Sequence, residues 1–210
     1  MSNQICLDGV KKTVDQPSIW RGNKGSALVQ TWSSTPVYTY GIVDITPVAT
    51  PTDFIIIQGS ATKTLKIQSI VLSLESTASG SIAVRLIRRS AANTVAATLN
   101  PIFGAPNDPN DAPATATVGY VSGANFTNLG TQVGGATAFL GAKNLNSNFQ
   151  TSGFIQSTVE WSFEQMGIKP ILLFGTSDFI CINLNGDTVP AGGKIYADIK
   201  IEEDNSAGGG

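Results

Sequence analysis

The feature that most limits what this chain can fold into lies near its C-terminus. In residues 194–202, KIYADIKIE, the residues Ile195, Ala197, Ile199 and Ile201 share one parity. Lys194, Tyr196, Asp198, Lys200 and Glu202 share the other. Successive side chains of a strand point to opposite faces, so this pattern describes a strand with one buried and one wet face. Such strands belong to an antiparallel sheet packed against a second sheet. STVEWSFEQ repeats the pattern, with Val159, Trp161 and Phe163 set against Thr158, Glu160, Ser162 and Glu164. No segment sustains a 3.6-residue period beyond one turn.

The stretch from Ala61 to Thr94 adds a second constraint. Leu65 and Ile67 lie on one parity, whereas Ile70, Leu72 and Leu74 lie on the other. If all five feed one core, an extra residue is required near Gln68–Ser69, which a β-bulge supplies. STASGS then predicts a turn. SIAVRLIRR returns with Ile82, Val84 and Leu86 on one face, so the whole reads as a bulged hairpin. Further strands are expected in TDFIIIQG, TATVGYVSG, PILLFG and DFICINLNG, with a weaker one in GATAFLGA. Residues 91–114 carry Pro101, Pro106, Pro109 and Pro113, which argue against regular ladders there. A connection of that length is usually functional or covered by a partner. The Asn- and Gly-rich segments near 122–135 and 143–153 read as loops.

About eight or nine strands follow from this count. With 22 glycines, 10 prolines and only 13% charged residues among 210, the composition suits an all-β protein rich in turns. We expect an antiparallel β-sandwich of jelly-roll type. An immunoglobulin-like sandwich is the competitor, although that fold usually needs only about 100 residues. The expected organisation is an extended N-terminal arm at 1–48, a sandwich at 49–203 and a flexible Gly-rich tail at 204–210. The arm is assigned because residues 1–48 hold Trp20, Trp32, Tyr38 and Tyr40 with no sustained period. An ordinary N-terminal strand with loops is the other reading of that segment.

The sequence offers little for catalysis. It contains no histidine, which removes Ser-His-Asp and Cys-His mechanisms and histidine zinc sites. Cys6 and Cys181 lack the neighbours that redox or metal motifs need, and whether they pair with each other is left open. Glu160 and Glu164 could act as an acid–base pair on a glycoside, but they sit on the wet face of a strand, where solvated glutamates are the norm. Asn107, Asp108, Asn110 and Asp111 offer oxygen ligands of the kind calcium uses, without EF-hand spacing; Asx-Pro clusters are mostly turns. Asn125–Thr127 fits a glycosylation sequon. The expectation is therefore no enzyme, no cofactor, no metal and no catalytic residue.

Thirteen basic and fifteen acidic residues leave a net charge of −2, which gives no reason to expect nucleic acid. No signal peptide and no apolar run of ~18 residues is apparent, so synthesis in the cytoplasm without a membrane anchor is expected. The basic knot of Arg85, Arg88 and Arg89 reads either as a solvated strand edge or as a subunit contact.

Two quoted stretches also carry a resemblance. GSATKTLKIQSIVLSLESTASGSIAVRLIRRSAANT, followed downstream by DFICINLNGDTVPAGGKIYADIKIEE, resembles a module of tailed-phage and prophage virion proteins. In that module GSATKT leads into a long strand, an R-S-x-A-N-T element closes its return, and an I-N-L-N-G strand precedes the last alternating strand. The likeness covers roughly residues 36–203. It implies a β-sandwich structural protein of the virion, such as a capsid decoration protein that binds the particle surface as an oligomer, with a trimer favoured, alongside a capsid or other virion protein. On that reading Trp20, Trp32, Tyr38, Tyr40, Arg85, Arg88 and Arg89 are the expected oligomer or particle contacts. Two other roles stay open: a carbohydrate- or receptor-binding jelly roll using Tyr120, Phe126 and Tyr196, and a jelly-roll capsid protein.

Overall fold

The computed structural model describes residues 4–7, 10–13, 35–94, 98–150, 153–163 and 169–204. The chain divides into two compact units, Met1–Ser34 and Thr35–Gly210. In the first, β1 (Gln4–Leu7) and β2 (Val10–Thr13) pair as an antiparallel hairpin. The second is all β. Its strands are β3 (Val37–Ile45), β4 (Thr52–Gln58), β5 (Thr64–Glu75), β6 (Gly80–Arg89), β7 (Asn100–Ile102), β8 (Ala105–Pro106), β9 (Thr117–Tyr120), β10 (Gly141–Gln150), β11 (Gly153–Ser162), β12 (Ile171–Leu173), β13 (Phe179–Leu184) and β14 (Lys194–Asp204). No helix occurs among the described residues.

Two antiparallel sheets pack face to face as a β-sandwich. Sheet I runs β7-β9-β4-β13-β6-β10, and sheet II runs β11-β5-β14-β3-β8 with β12 also on β5. The β10–β11 hairpin joins them. Its strands pair only over Ser147–Gln150 and Gly153–Gln156, then part, β10 to β6 and β11 to β5. At the other end of the strand order, Phe103 and Gly104 link β7 of sheet I to β8 of sheet II. Between the sheets lies one apolar core, including Ile42, Leu65, Ile67, Ile70, Leu72, Leu74, Ile82, Val84, Leu86, Ile180, Ile182 and Ile199. Each such side chain, fully buried, contributes about 1.5–3 kcal/mol.

The bulge expected in β5 is present. Lys200 pairs with Ser69 and Ile201 with Ile67, which leaves Gln68 as the extra residue. It also marks a change of neighbour, for β11 pairs with residues 69–74 of β5 and β12 with residues 65–67. The hairpin expected over Ala61–Thr94 is not present. Strand β5 lies in sheet II and β6 in sheet I, so STASGS turns a corner between the sheets. Ser76 and Ser147 hydroxyls meet there at 2.7 Å, and Thr77 N–H donates to the Ala191 carbonyl at 2.9 Å.

Other boundaries differ as well. The break between the compact units lies at Ser34/Thr35 instead of 48/49, and residues 37–45 are a strand of the sandwich, paired with β14 and β8. Tyr38, Tyr40 and Ile42 do alternate into the core, but the bulge that follows conceals the period. Residues 143–150 form a strand where a loop was expected; between Gly141 and Ser147 the one large apolar residue is Leu145, fully buried, so the segment shows no alternating apolar pattern. GATAFLGA begins in turns, and the strand starts only at Gly141. The Pro-rich segment contains two short ladders, β7 and β8; Pro101 and Pro106 both sit on edge strands, where a missing N–H is tolerated.

Candidate functional site

The two sheets differ on their outer faces. That of sheet I is roofed by chain over β4, β13 and the end of β6. Every residue from Thr52 to Ile57 of β4 and from Phe179 to Leu184 of β13 is buried. Above them Ile56, Phe179 and Cys181 form a second apolar cluster with Val121 and Phe126, which come from the segment 121–135. The roof is fastened by a buried polar group. Arg89 Nε and Nη2 donate to the two Asp53 carboxylate oxygens at 2.5 and 2.9 Å. Asn93 and Asn183 amides donate to the same carboxylate at 2.8 and 2.7 Å, and Arg89 Nη1 donates to the Gly130 carbonyl at 2.7 Å. Asp53 reaches this face because Phe54 is an extra residue in β4: Ile182 pairs with Ile55 and Asn183 with Asp53. Burial disfavours the Arg89 charge, but its bonds to Asp53 outweigh that and raise its pKa.

The outer face of sheet II has no such roof among the described residues, and it carries Asp44–Lys194, the most exposed of the described ion pairs. Tyr196 of β14 lies opposite two residues of β3, Val43 and Asp44, because Ile195 pairs with Ile45 and Ala197 with Ile42. Asp44 takes the left-handed backbone (φ 57°), which Asp adopts more easily than most residues. The bulge brings its carboxylate to Lys194, whose Nζ donates to Asp44 Oδ1 at 2.9 Å. The Tyr196 hydroxyl lies 2.8 Å from Glu75 Oε2 and 3.1 Å from Asp44 Oδ1. Beside them is a shallow depression of about 260 Å³ lined by Thr39, Gly41, Val43, Val71, Ser73 and Tyr196.

The hydrogen bond to Glu75, with burial and Asp44 adding to it, pushes the Tyr196 phenol up to about 12. Hydrogen bonds from Lys194 and Tyr196 hold Asp44 below the usual aspartate range. The bond to Asp44 raises Lys194. None of these three groups is brought toward neutral pH, where a general acid or base works best. The cluster is built to donate and accept hydrogen bonds. Sequence reading missed Asp44, Glu75 and Lys194; the signal was the parity break between Ile42 and Ile45.

The residues singled out from sequence are dispersed. Trp20, Trp32 and Glu164 lie outside the described residues. Tyr38 and Tyr40 are fully buried in the core; the Tyr38 hydroxyl donates to the Ala112 carbonyl at 2.6 Å, and the Tyr40 hydroxyl has no hydrogen-bond partner among the described residues. Burial, then Glu203, raises the pKa of both phenols. The three arginines do not form one patch. Arg85 stacks 4.5 Å above the Phe139 ring, Arg88 binds Asp178 and the Leu172 carbonyl, and Arg89 is only 4% exposed. Glu160 is exposed, as its parity requires. Cys181 is a free, buried thiol. Asp108 accepts from the Asn110 N–H and amide at 2.9 Å each, which makes NDPND an Asx turn. Among the described residues no group of three or more Cys, Asp or Glu is placed to hold a metal ion. Of the three aromatics considered for a glycan, Phe126 is buried as part of the roof and Tyr120 packs on the core, which leaves Tyr196 on the outer face of sheet II. No family model, curated protein or solved structure matches this chain.

Proposed function

We propose that this chain is a structural component of a tailed-phage virion, a jelly-roll sandwich that joins a particle surface as an oligomer, trimer favoured, and that its N-terminal segment makes the attachment. The observation that carries the reading is the division at Ser34/Thr35. The sandwich has a core of its own, with its buried charges paired inside it, as Arg89 with Asp53. The preceding segment holds two of the three tryptophans, the residue type that contributes most at interfaces. The sequence resemblance over residues 36–203 supplies the virion context. Removing residues 1–34 is expected to leave a folded β domain that no longer self-associates or binds particles, measured by native mass and particle co-sedimentation. A truncated chain with unchanged mass and binding would refute the arm's role.

A second reading has one observation in its favour. Tyr196, flanked by carboxylates beside an open depression, is a combination that a carbohydrate-binding face can use. Specific retention on a glycan array, abolished by Tyr196→Ala, would favour it over attachment.

A further inference from the structure

We infer that the roof over sheet I is a releasable strap: residues 121–135, fastened through Gly130 to Asn93 and the Asp53–Arg89 pair, open as a unit while the sandwich stays folded, and opening uncovers Cys181 and the apolar face of β4 and β13.

The strap and the sheet beneath it are held differently. Strand β13 pairs along its whole length with β6 and, with one bulge at Phe54, with β4. The strap is held by two isolated bridges, Arg89 of β6 to Gln132 and Thr94 beyond β6 to Asn128, and by single bonds such as Val121 N–H to the Phe54 carbonyl of β4 and Gly123 N–H to the carbonyl of Thr46 in the β3–β4 connection, each 2.9 Å. Its buried apolar contribution is Val121 and Phe126, against the many side chains between the sheets. Segments with few buried apolar contacts and no ladder open at lower free energy than core strands. The fastening is concentrated in the middle of the strap. Gly130 N–H donates to Asn93 Oδ1 at 2.8 Å, its carbonyl accepts from Arg89, and a Cβ there would lie 1.9 Å from the Ala91 carbonyl oxygen. Only glycine permits that approach.

Cys181 sits on the strap side of β13, in contact with the Ile56, Val121, Phe126 and Phe179 cluster. While the strap is closed the thiol is buried, and burial, then Asp53, holds it protonated. Reaction with a thiol reagent therefore requires opening.

The test uses the full chain carrying Cys6→Ser, which leaves Cys181 as its one thiol. An aromatic disulfide reagent reports exposure: the Cys181 thiolate displaces one thionitrobenzoate and forms a mixed disulfide. Labelling rates are measured across a urea series and compared with global unfolding followed by circular dichroism. Release of the strap predicts labelling faster than global unfolding allows, with a urea dependence well below the global slope. Gly130→Ala in the same background is expected to label about tenfold faster with the dichroism spectrum retained. If Gly130→Ala fails to fold, Asn93→Ala, which removes one of the two side-chain links between Gly130 and Asp53 and leaves the one through Arg89, is expected to move labelling in the same direction. Labelling of the Cys6→Ser protein with the same free energy and urea slope as global unfolding would overturn the proposal.

Discussion

The outer faces of the two sheets are made by strands of one fold under opposite demands. In sheet I, Asp53–Ile57 and Phe179–Leu184 run as unbroken buried stretches, because chain covers both sides of the sheet. In sheet II, β14 keeps strict alternation from Lys194 to Ile201, because only one side is covered. The charged groups follow the same division. Asp53 is fully buried and Arg89 nearly so, and four hydrogen bonds, two of them from Arg89, reach the Asp53 carboxylate, whereas Asp44 and Lys194 are about half exposed. An ion pair therefore means different things on the two faces: under the roof it organises a layer of chain, and in solvent it adds little.

The largest expected effect tests the covered face. Arg89→Ala strands Asp53 in a buried site, and loss of one partner from such a pair costs about 3–5 kcal/mol. Urea denaturation should show a drop of that size; a change near zero would mean that water reaches Asp53 freely and that the two faces do not differ as described. Phe126→Ala comes next. It removes the main apolar anchor of the strap and should cost about 3 kcal/mol, at the low end for a buried aromatic because the cluster is small and borders solvent. Full retention of stability would show that the polar fastening alone holds the roof.

The smallest effect belongs to the open face. Tyr196 has its phenol raised from 10.0 to about 12 and Lys194 is raised as well. A group with a raised folded pKa contributes stability that is present below its unfolded value and lost as pH rises through its folded value. The open-face cluster should thus weaken between about pH 10 and about pH 12. Asp44 acts at the other extreme, since its lowered pKa gives a contribution lost as pH falls below the ordinary aspartate range. Phenolate absorbance should show a tyrosine titrating near 12 that is absent from Tyr196→Phe, with the fold unchanged. A Tyr196 titration near 10 would break the assigned hydrogen bond to Glu75.

Much of the fold is legible because strand faces have period two. The alternation of Ile195–Ile201 and the parity shift around Gln68 point directly to a sandwich and a bulge, and both are present. The hairpin reading of Ala61–Thr94 failed for a physical reason. A short turn between two strands joins neighbours in one sheet and corners between two sheets equally well, and only long-range partners distinguish them. Those partners, Leu72 with Val159 and with Ala197, and Val84 with Lys143, are far away in sequence.

Neither candidate site was legible in advance, although both rest on the same device. A bulge at Phe54 turns Asp53 toward Arg89, and a bulge at Val43–Asp44 turns Asp44 toward Lys194 and Tyr196. One extra residue in one strand changes which side chains share a face, and it does so relative to a partner strand that the local sequence does not specify. By itself the sequence determined the all-β class, the buried parity of the long strands and the absence of histidine chemistry. The tertiary structure alone decided that Arg85, Arg88 and Arg89 go to three different partners, that Tyr38 and Tyr40 belong to the core, and that β4 and β13 are covered on both faces. Burial and pairing depend on what packs against a residue, and in this chain those neighbours come from distant segments.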